Sequence, residues 1–374
     1  MANKLPGLAI PHKGCEDICA AEAKDILGNG TVQHGLVTFD STLLDMCAYT
    51  YRAQTPIKVL QLLFDFHITG DVLADFKKHV KLELMSRDAT FIVRAMSDAE
   101  EVERQALEQD VGAVLASTGA KVHFKQPDVT YYAIIHQGHF WFCIDLTGEE
   151  LGRRDYRIFL GQNALKGTLA ASLVRLSNYT ADHLFLDPFC RDGIIPIEAA
   201  LLINKQSPHI YGKDKFLFRR LPQLKTTDWE KFFDAIDKDR VERDVRILAM
   251  DPNFGSISGA KKNAKIAGVT KTITFSRTDL DFLDAKFGKK AIDTVVTYVP
   301  QVTSALPQIK ADAVIKNVFY QAEFVMKTGG TALFITQTCV DAIKKYATEF
   351  KFELIHERVV YQGQAMLTVF IFKR

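Results

Sequence analysis

The sequence predicts an α/β protein: two small mixed α+β segments, then a larger domain on a mostly parallel sheet. Three observations carry this. From Arg157 onward, short apolar runs that read as strands alternate with helical stretches, the spacing of right-handed βαβ crossovers. Before that point strands and helices alternate on a shorter scale, as in small ferredoxin-like units. The C-terminal stretch "KFELIHERVVYQGQAMLTVFIFKR" reads as an antiparallel hairpin turning at Gln362-Gly363.

Taken in order, the first segment (1–65) reads strand, helix "GCEDICAAEAKDIL", strand "HGLVTFD", helix "TLLDMCAYTYRA" and strand "IKVLQLLFDF". Acidic residues in the first helix's opening turn suit its dipole. The second segment (66–152) holds a strand "DATFIVRAM", a helix "DAEEVERQALEQDVGAVLAS" and two strands joined at His-Gln-Gly-His, a hairpin signal. The third (153–374) carries strands at "HLFLDP", "VRILAMD", "TITFSRTD", "AIDTVVTYV" and "GTALFITQ". A parallel sheet closed by an antiparallel hairpin is the shape of a class I methyltransferase, not of the usual dinucleotide-binding domain.

Composition bounds the alternatives. With 374 residues, 47% hydrophobic and 25% charged, the chain is globular and long enough for about two or three domains. A formal charge of +2 gives only a weak net field, so binding to nucleic acid needs a local basic patch. The six cysteines form no CxxC pair, which argues against zinc and for free thiols in a reducing cytoplasm. No apolar run reaches membrane-spanning length, so a soluble cytoplasmic protein with no metal and no membrane partner is expected.

The chemistry gathers at strand ends. Asp187 closes the first strand of the large domain in "FLDPFCRDGIIPIEAALL", and Asp251 closes the second in "ILAMDPNFGSISGAKKNAKIAGV". One carboxylate after the second strand can accept hydrogen bonds from both hydroxyls of a ribose. Asp279, after the third strand, is placed to meet an adenine amino group. Each taken singly is also an ordinary turn or helix cap. In order, the set fits an adenosine-bearing cofactor.

The segments "IDLTGEELGRRDYR", "NALKGTLAASLVRL", "DPFC..GIIPIEAA" and "NAKIAGV" together resemble the THUMP-domain RNA methyltransferases, across nearly the whole chain. The resemblance is nearest to the tRNA guanine-N2 methyltransferases, with rRNA enzymes as further relatives. It implies a ferredoxin-like domain over 1–65, a THUMP RNA-binding domain over 66–152 and a Rossmann-like methyltransferase domain over 153–374. It implies S-adenosyl-L-methionine as cofactor and tRNA or another structured RNA as partner. Carried over residue by residue, Thr168 would flank the methionine end, Asp187, Phe189 and Gly193 would line it, Asp251 would hold the ribose and Asp279 would read the adenine.

Two departures bear on activity. The family's glycine-rich turn is here Cys190-Arg191-Asp192-Gly193-Ile194. Arg191 either obstructs a place where backbone should meet ligand or pairs with the cofactor's carboxylate, which Asp192 would repel. The Asn-Pro-Pro-Tyr of amino-methylating members is replaced by Tyr298-Val299-Pro300-Gln301. In a reshuffled site Gln301 would accept from an amine while Tyr298 stacks on the base, with Pro300 between them. The rival expectation is an inactive RNA-binding scaffold, with a protein partner supplying the activity. Arg94, Lys121, Lys125, Arg153, Arg154 and Arg157 are the expected phosphate contacts. "GKDKFLFRRLPQLK", which interleaves cations with aromatics, reads either as a further RNA contact or as a plain loop.

Overall fold

The computed structural model describes residues 3–81, 89–161 and 164–374, and among them two seven-stranded sheets. The first sheet is built from β1 (Leu5–Ile10), β2 (Thr31–Gln33), β3 (Leu36–Ser41), β4 (Lys58–His67), β5 (Phe91–Ser97), β6 (Val129–His136) and β7 (His139–Asp145). Their order is β2-β3-β1-β4-β7-β6-β5. All neighbours are antiparallel except β5 and β6. Helices α1 (Glu16–Leu27), α2 (Leu43–Arg52), α3 (Val72–His79) and α4 (Arg104–Ala116) connect them. Thr42 starts α2 by accepting from the Asp45 amide at 3.1 Å while its hydroxyl donates to the Asp45 carboxylate at 2.6 Å. Gln137 (φ +50°) and Gly138 (φ +73°) make the tight β6–β7 turn, the two positive φ values such hairpins require. Pairing of β4 with β7 carries the sheet without a break across the 65/66 boundary.

The second sheet begins after α5 (Gly167–Leu176). It comprises β8 (Leu184–Asp187), α6 (Ile194–Ile203), α7 (Trp229–Asp237), β9 (Arg246–Asp251), α8 (Phe254–Ala267), β10 (Ile273–Arg277), α9 (Leu283–Lys286) and β11 (Ile292–Tyr298). It closes with α10 (Gln308–Val325), β12 (Met326–Thr336), α11 (Val340–Glu349), β13 (Glu353–Gln362) and β14 (Ala365–Lys373). The strand order is β10-β9-β8-β11-β12-β14-β13, parallel as far as β12, with β14 antiparallel to both its neighbours. This is the class I methyltransferase arrangement with its terminal hairpin. Alternate strand residues feed two cores: Phe185, Val296, Leu333 and Ile335 pack on one face, while Leu186, Val295, Ala332 and Phe334 pack on the other.

Two compact units emerge, and they do not follow chain order. One takes Met1–Pro11, Cys19–Leu151 and Gly212–Lys238; the other takes His12–Ile18, Gly152–Tyr211 and Asp239–Arg374. The 212–238 segment, which sequence order puts inside the large domain, thus belongs with the first sheet. Its Phe216, Phe218, Leu221 and Phe233 join that unit's core, and Tyr51 donates to Asp237 at 2.7 Å. The aromatics of "GKDKFLFRRLPQLK" are therefore core, not an RNA-stacking surface.

Candidate active site

The order of the second sheet reverses between β8 and β11, and a cavity of about 790 Å³ opens beyond the C-terminal strand ends there. Phe189 follows β8, Asp251 ends β9, Asp279 follows β10 and Pro300 follows β11; all four line this cavity, together with Arg191. Loops leaving parallel strands must all emerge on this side, which is why residues far apart in sequence meet here.

At one end the cavity is acidic. Asp251 is buried; its Oδ1 accepts from the Asn253 amide at 2.9 Å and its Oδ2 from the Arg191 amide at 3.0 Å. These bonds orient the carboxylate and leave lone-pair capacity for two hydroxyls. Asn253 in turn starts α8, accepting from the amides of Gly255 and Ser256. Asp279 is exposed and opens a one-turn 3₁₀ helix, Leu280–Phe282. This end offers carboxylate acceptors to a ligand that carries hydroxyl or amino donors.

Gly193 lies behind the wall. Its φ is +82° and a Cβ there would come within 2.9 Å of the Ala260 Cβ, so the turn into α6 accepts no side chain. Asp187 likewise stands outside the cavity wall, which corrects the expectation that it and Gly193 line it, and Thr168 is not among the lining residues either. Thr168 is fully buried, with Oγ1 at 2.8 Å from His12 Nε2. Asp187 is buried and accepts from the Thr297 hydroxyl at 2.7 Å and the Phe189 amide at 3.2 Å. Burial pushes its pKa up to about 7; those two hydrogen bonds pull in the opposite direction without offsetting it.

The loop between β8 and α6 departs from the glycine-rich form in a defined way. Arg191 sits at φ +49°, a left-handed conformation costing about 1–2 kcal/mol for a residue with a Cβ. Its guanidinium lies over the Tyr298 ring at 4.3 Å, and Nη2 donates to the Val299 carbonyl at 3.0 Å. Asp192 is buried against Arg157, whose Nε donates to it at 2.9 Å. Asn263 ties the loop to the preceding segment: its Nδ2 donates to the carbonyls of Asp192 and Phe159, and its Oδ1 accepts from the amides of Ile158 and Phe159. Arg157, Asn263 and Thr297 were missed as site supports because each acts through another residue and none lines the cavity.

At the opposite end the Tyr298–Gln301 stretch is closed. Tyr298 is buried beneath Arg191. The Val299 carbonyl accepts twice, from Arg191 Nη2 and from Gln301 Nε2 at 2.5 Å. The Gln301 amide oxygen accepts from the Gln337 amide at 2.7 Å, the Thr338 amide at 3.0 Å and the hydroxyls of Thr336 and Thr338. That corrects the expectation that Gln301 accepts from a substrate amine: it knits the turn after β12.

The expected RNA contacts divide sharply. Arg154 is a correction: it is fully buried, its Nε and Nη2 engaging the two oxygens of Glu198 at 2.7 and 3.2 Å, with the Tyr156 hydroxyl on the same carboxylate. Arg157 is spent on Asp192, a second correction. Arg153 is exposed. In the first unit Lys121 and Lys125 are exposed, and Arg94 is half exposed at 3.7 Å from Glu108. Asp145 and Thr147 of the "IDLTG" stretch are structural: Asp145 accepts from Lys58 Nζ at 2.7 Å and from the amides of Thr147 and Gly148. Among the described residues no group of three or more His, Cys, Asp or Glu is arranged to hold a metal, and no helix is long and apolar enough to cross a membrane. All six cysteines are buried and unbridged.

Comparison with known proteins agrees with this architecture. The chain is 27% identical over 384 residues to a tRNA (guanine(6)-N2)-methyltransferase of Methanocaldococcus jannaschii, covering 98% of this chain and 97% of that one. A solved structure described as a possible methylase from Clostridium difficile 630 superposes with a TM-score of 0.83 at 19% identity, covering 99% and 98%. Another, of the protein SMU.472 complexed with SAH, gives 0.78 at 18% identity, covering 100% and 99%. At such identities the solved structures bear on the fold alone. Residues 154–368, more than half of the chain, match the RMKL-like methyltransferase domain, and the chain belongs to that family.

Proposed function

We propose that the protein is an S-adenosyl-L-methionine-dependent RNA methyltransferase whose target is the guanine N2 of a tRNA. The observation that carries the reading is the shared cavity: Asp251 and Asp279, at the ends of neighbouring parallel strands, face one hollow beside Phe189. Asp251 would take the ribose hydroxyls and Asp279 the adenine amino group. When bound, S-adenosylmethionine supplies an electrophilic methyl on a sulfonium, so the chain's own work is positioning and exclusion of water, the proton lost from the methylated amine passing to bulk solvent. The relative from Methanocaldococcus jannaschii supports tRNA guanine as the substrate class.

The RNA side would be met by the first unit, with the ferredoxin-like part in 1–65 and the THUMP part in 66–152. Lys121 and Lys125 flank Phe124, which is 77% exposed, and Arg94 shares a groove with that ring. An exposed ring between cations suits an unstacked base with its phosphates.

A second reading is favoured by one feature. The Val299 carbonyl and the Gln301 amide oxygen are both committed within the protein. A base amine would then lack its usual acceptors, as in a scaffold that binds cofactor and RNA while a partner protein catalyses. The deciding experiment combines calorimetry with S-adenosylmethionine and transfer of labelled methyl to tRNA transcripts, with nucleoside analysis for N2-methylguanosine. Micromolar binding with transfer is the expected result. Binding without transfer favours the scaffold, and no binding at millimolar ligand removes both readings.

A further inference from the structure

The turn that ought to meet its ligand through bare backbone instead carries a guanidinium held at a fixed place. Arg191 is gripped on two sides, by the face of Tyr298 and by the Val299 carbonyl, and lines the large cavity. Among the described residues of the cavity wall it is the lone cation, set against Asp251, Asp279 and Asp281. No carboxylate pairs with it: the nearby Asp251 bonds its backbone amide, not its side chain, and Asp187 is taken by Thr297 and Phe189. Asp192, the neighbour whose charge would cancel it, is neutralised by Arg157. Among the described residues Arg191 therefore presents a half-buried positive charge with no carboxylate hydrogen-bonded to its side chain and donors to spare, at a backbone angle that disfavours any residue but glycine. A desolvated cation without a partner is costly, and an anion delivered by a ligand relieves that cost.

We propose that Arg191 is the specificity-determining residue of this cavity, binding the carboxylate of an adenosine ligand's amino-acid tail and so selecting tailed ligands over tailless ones. The inference rests on the proposed use of S-adenosylmethionine, and it assigns to one side chain the anion recognition that a glycine-rich turn leaves to backbone. Tyr298 and Val299 act as its mounting: the ring face and the carbonyl hold the guanidinium plane so that its remaining N–H edge is available for a two-point contact.

Calorimetry on the full chain tests this with two probes: S-adenosylhomocysteine, which has the carboxylate, and 5′-methylthioadenosine, which lacks the amino-acid end. The wild type should bind the first about 10- to 100-fold more tightly, the worth of a charge-assisted pair. Arg191→Gly, which suits the backbone angle and should fold, is expected to erase most of that ratio while leaving methylthioadenosine affinity within about twofold. Because the ammonium is lost with the carboxylate, the decisive quantity is the change in ratio caused by the substitution. An unchanged ratio in Arg191→Gly overturns the proposal. So does tighter binding of both probes by the variant, which would mean that the guanidinium merely obstructs the cavity. If neither probe binds the wild type or the variant, the adenosine reading itself fails and this inference goes with it.

Discussion

The two ends of the cavity are built on different principles. At the acidic end, Asp251 and Asp279 line the cavity from the ends of neighbouring strands, Asp251 oriented by two backbone amides and Asp279 exposed. At the other end, Tyr298, Val299 and Gln301 are engaged by the Arg191 guanidinium, by one another and by the turn after β12. One end is a receptor left open; the other is a set of side chains turned inward. The contrast teaches that one edge of a parallel sheet can present carboxylates to a cavity at one place and close over itself through internal hydrogen bonds at another.

The sharpest way to break this contrast is at the open end. Asp251→Ala removes the proposed acceptor for the ribose and also the anchor of the Arg191 and Asn253 amides. Affinity for S-adenosylhomocysteine should fall by about 100-fold or more, since a charged acceptor and two oriented loops are lost together. Calorimetry that finds wild-type affinity in this variant would show that the cavity does not hold a nucleoside through β9.

The closed end should answer differently. Gln301→Ala leaves the Gln337 and Thr338 amides and two hydroxyls without their shared acceptor, so it should destabilise the fold by about 2–4 kcal/mol. Binding of S-adenosylhomocysteine below the melting transition should stay within about threefold, because a structural bond is lost and not a ligand contact. Denaturant unfolding and calorimetry on the same sample separate the two effects. A variant of unchanged stability with lost methyl transfer would return Gln301 to the substrate's side.

What could be read in advance follows the same division. The strand ends were legible because a parallel sheet obliges every β-to-α loop to emerge at one edge, so Asp251 and Asp279 could be placed from chain order alone. The hairpin at Gln362-Gly363 was legible for a similarly local reason. Asp192 was not, because its meaning depends on Arg157, thirty-five positions away, which turns an expected repulsion into an internal ion pair. Arg154 deceived in the opposite sense: a pair of arginines beside a tyrosine reads as a phosphate contact until Glu198 is brought under it by α6. The segment 212–238 was misplaced because its aromatic spacing carries no address; only the first sheet's core shows where Phe216 and Phe218 go.

Behind the cavity wall lies Asp187, and pH sharpens its role. Its pKa in the folded protein is raised to about 7 from an ordinary 3.8, because burial disfavours the carboxylate. The folded state therefore holds a proton that the unfolded state has released over this interval. Stability from this group is complete below about pH 4, is lost as pH rises towards 7 and changes little beyond. Asp187→Asn keeps an acceptor for Thr297 without the charge, so its melting temperature should be flatter between pH 4 and 7 and higher than wild type above 7. Parallel melting profiles for the two proteins would mean that the carboxylate is not held in its neutral form.

The smallest effect is expected at the first unit's surface, where exposed Phe124 lies in sequence between the exposed Lys121 and Lys125. Phe124→Ala should leave the melting temperature unchanged, since the ring is mostly in water, and should weaken tRNA binding by about 10-fold, the worth of one stacked base. Lys121→Gln should weaken it by less and should also lower the salt dependence of binding, because a phosphate contact releases a counterion and a stacking contact does not. Filter binding at two salt concentrations tells them apart. Equal salt slopes for both variants and the wild type would place the RNA elsewhere, and would leave the cavity's open end as the better supported half of the molecule.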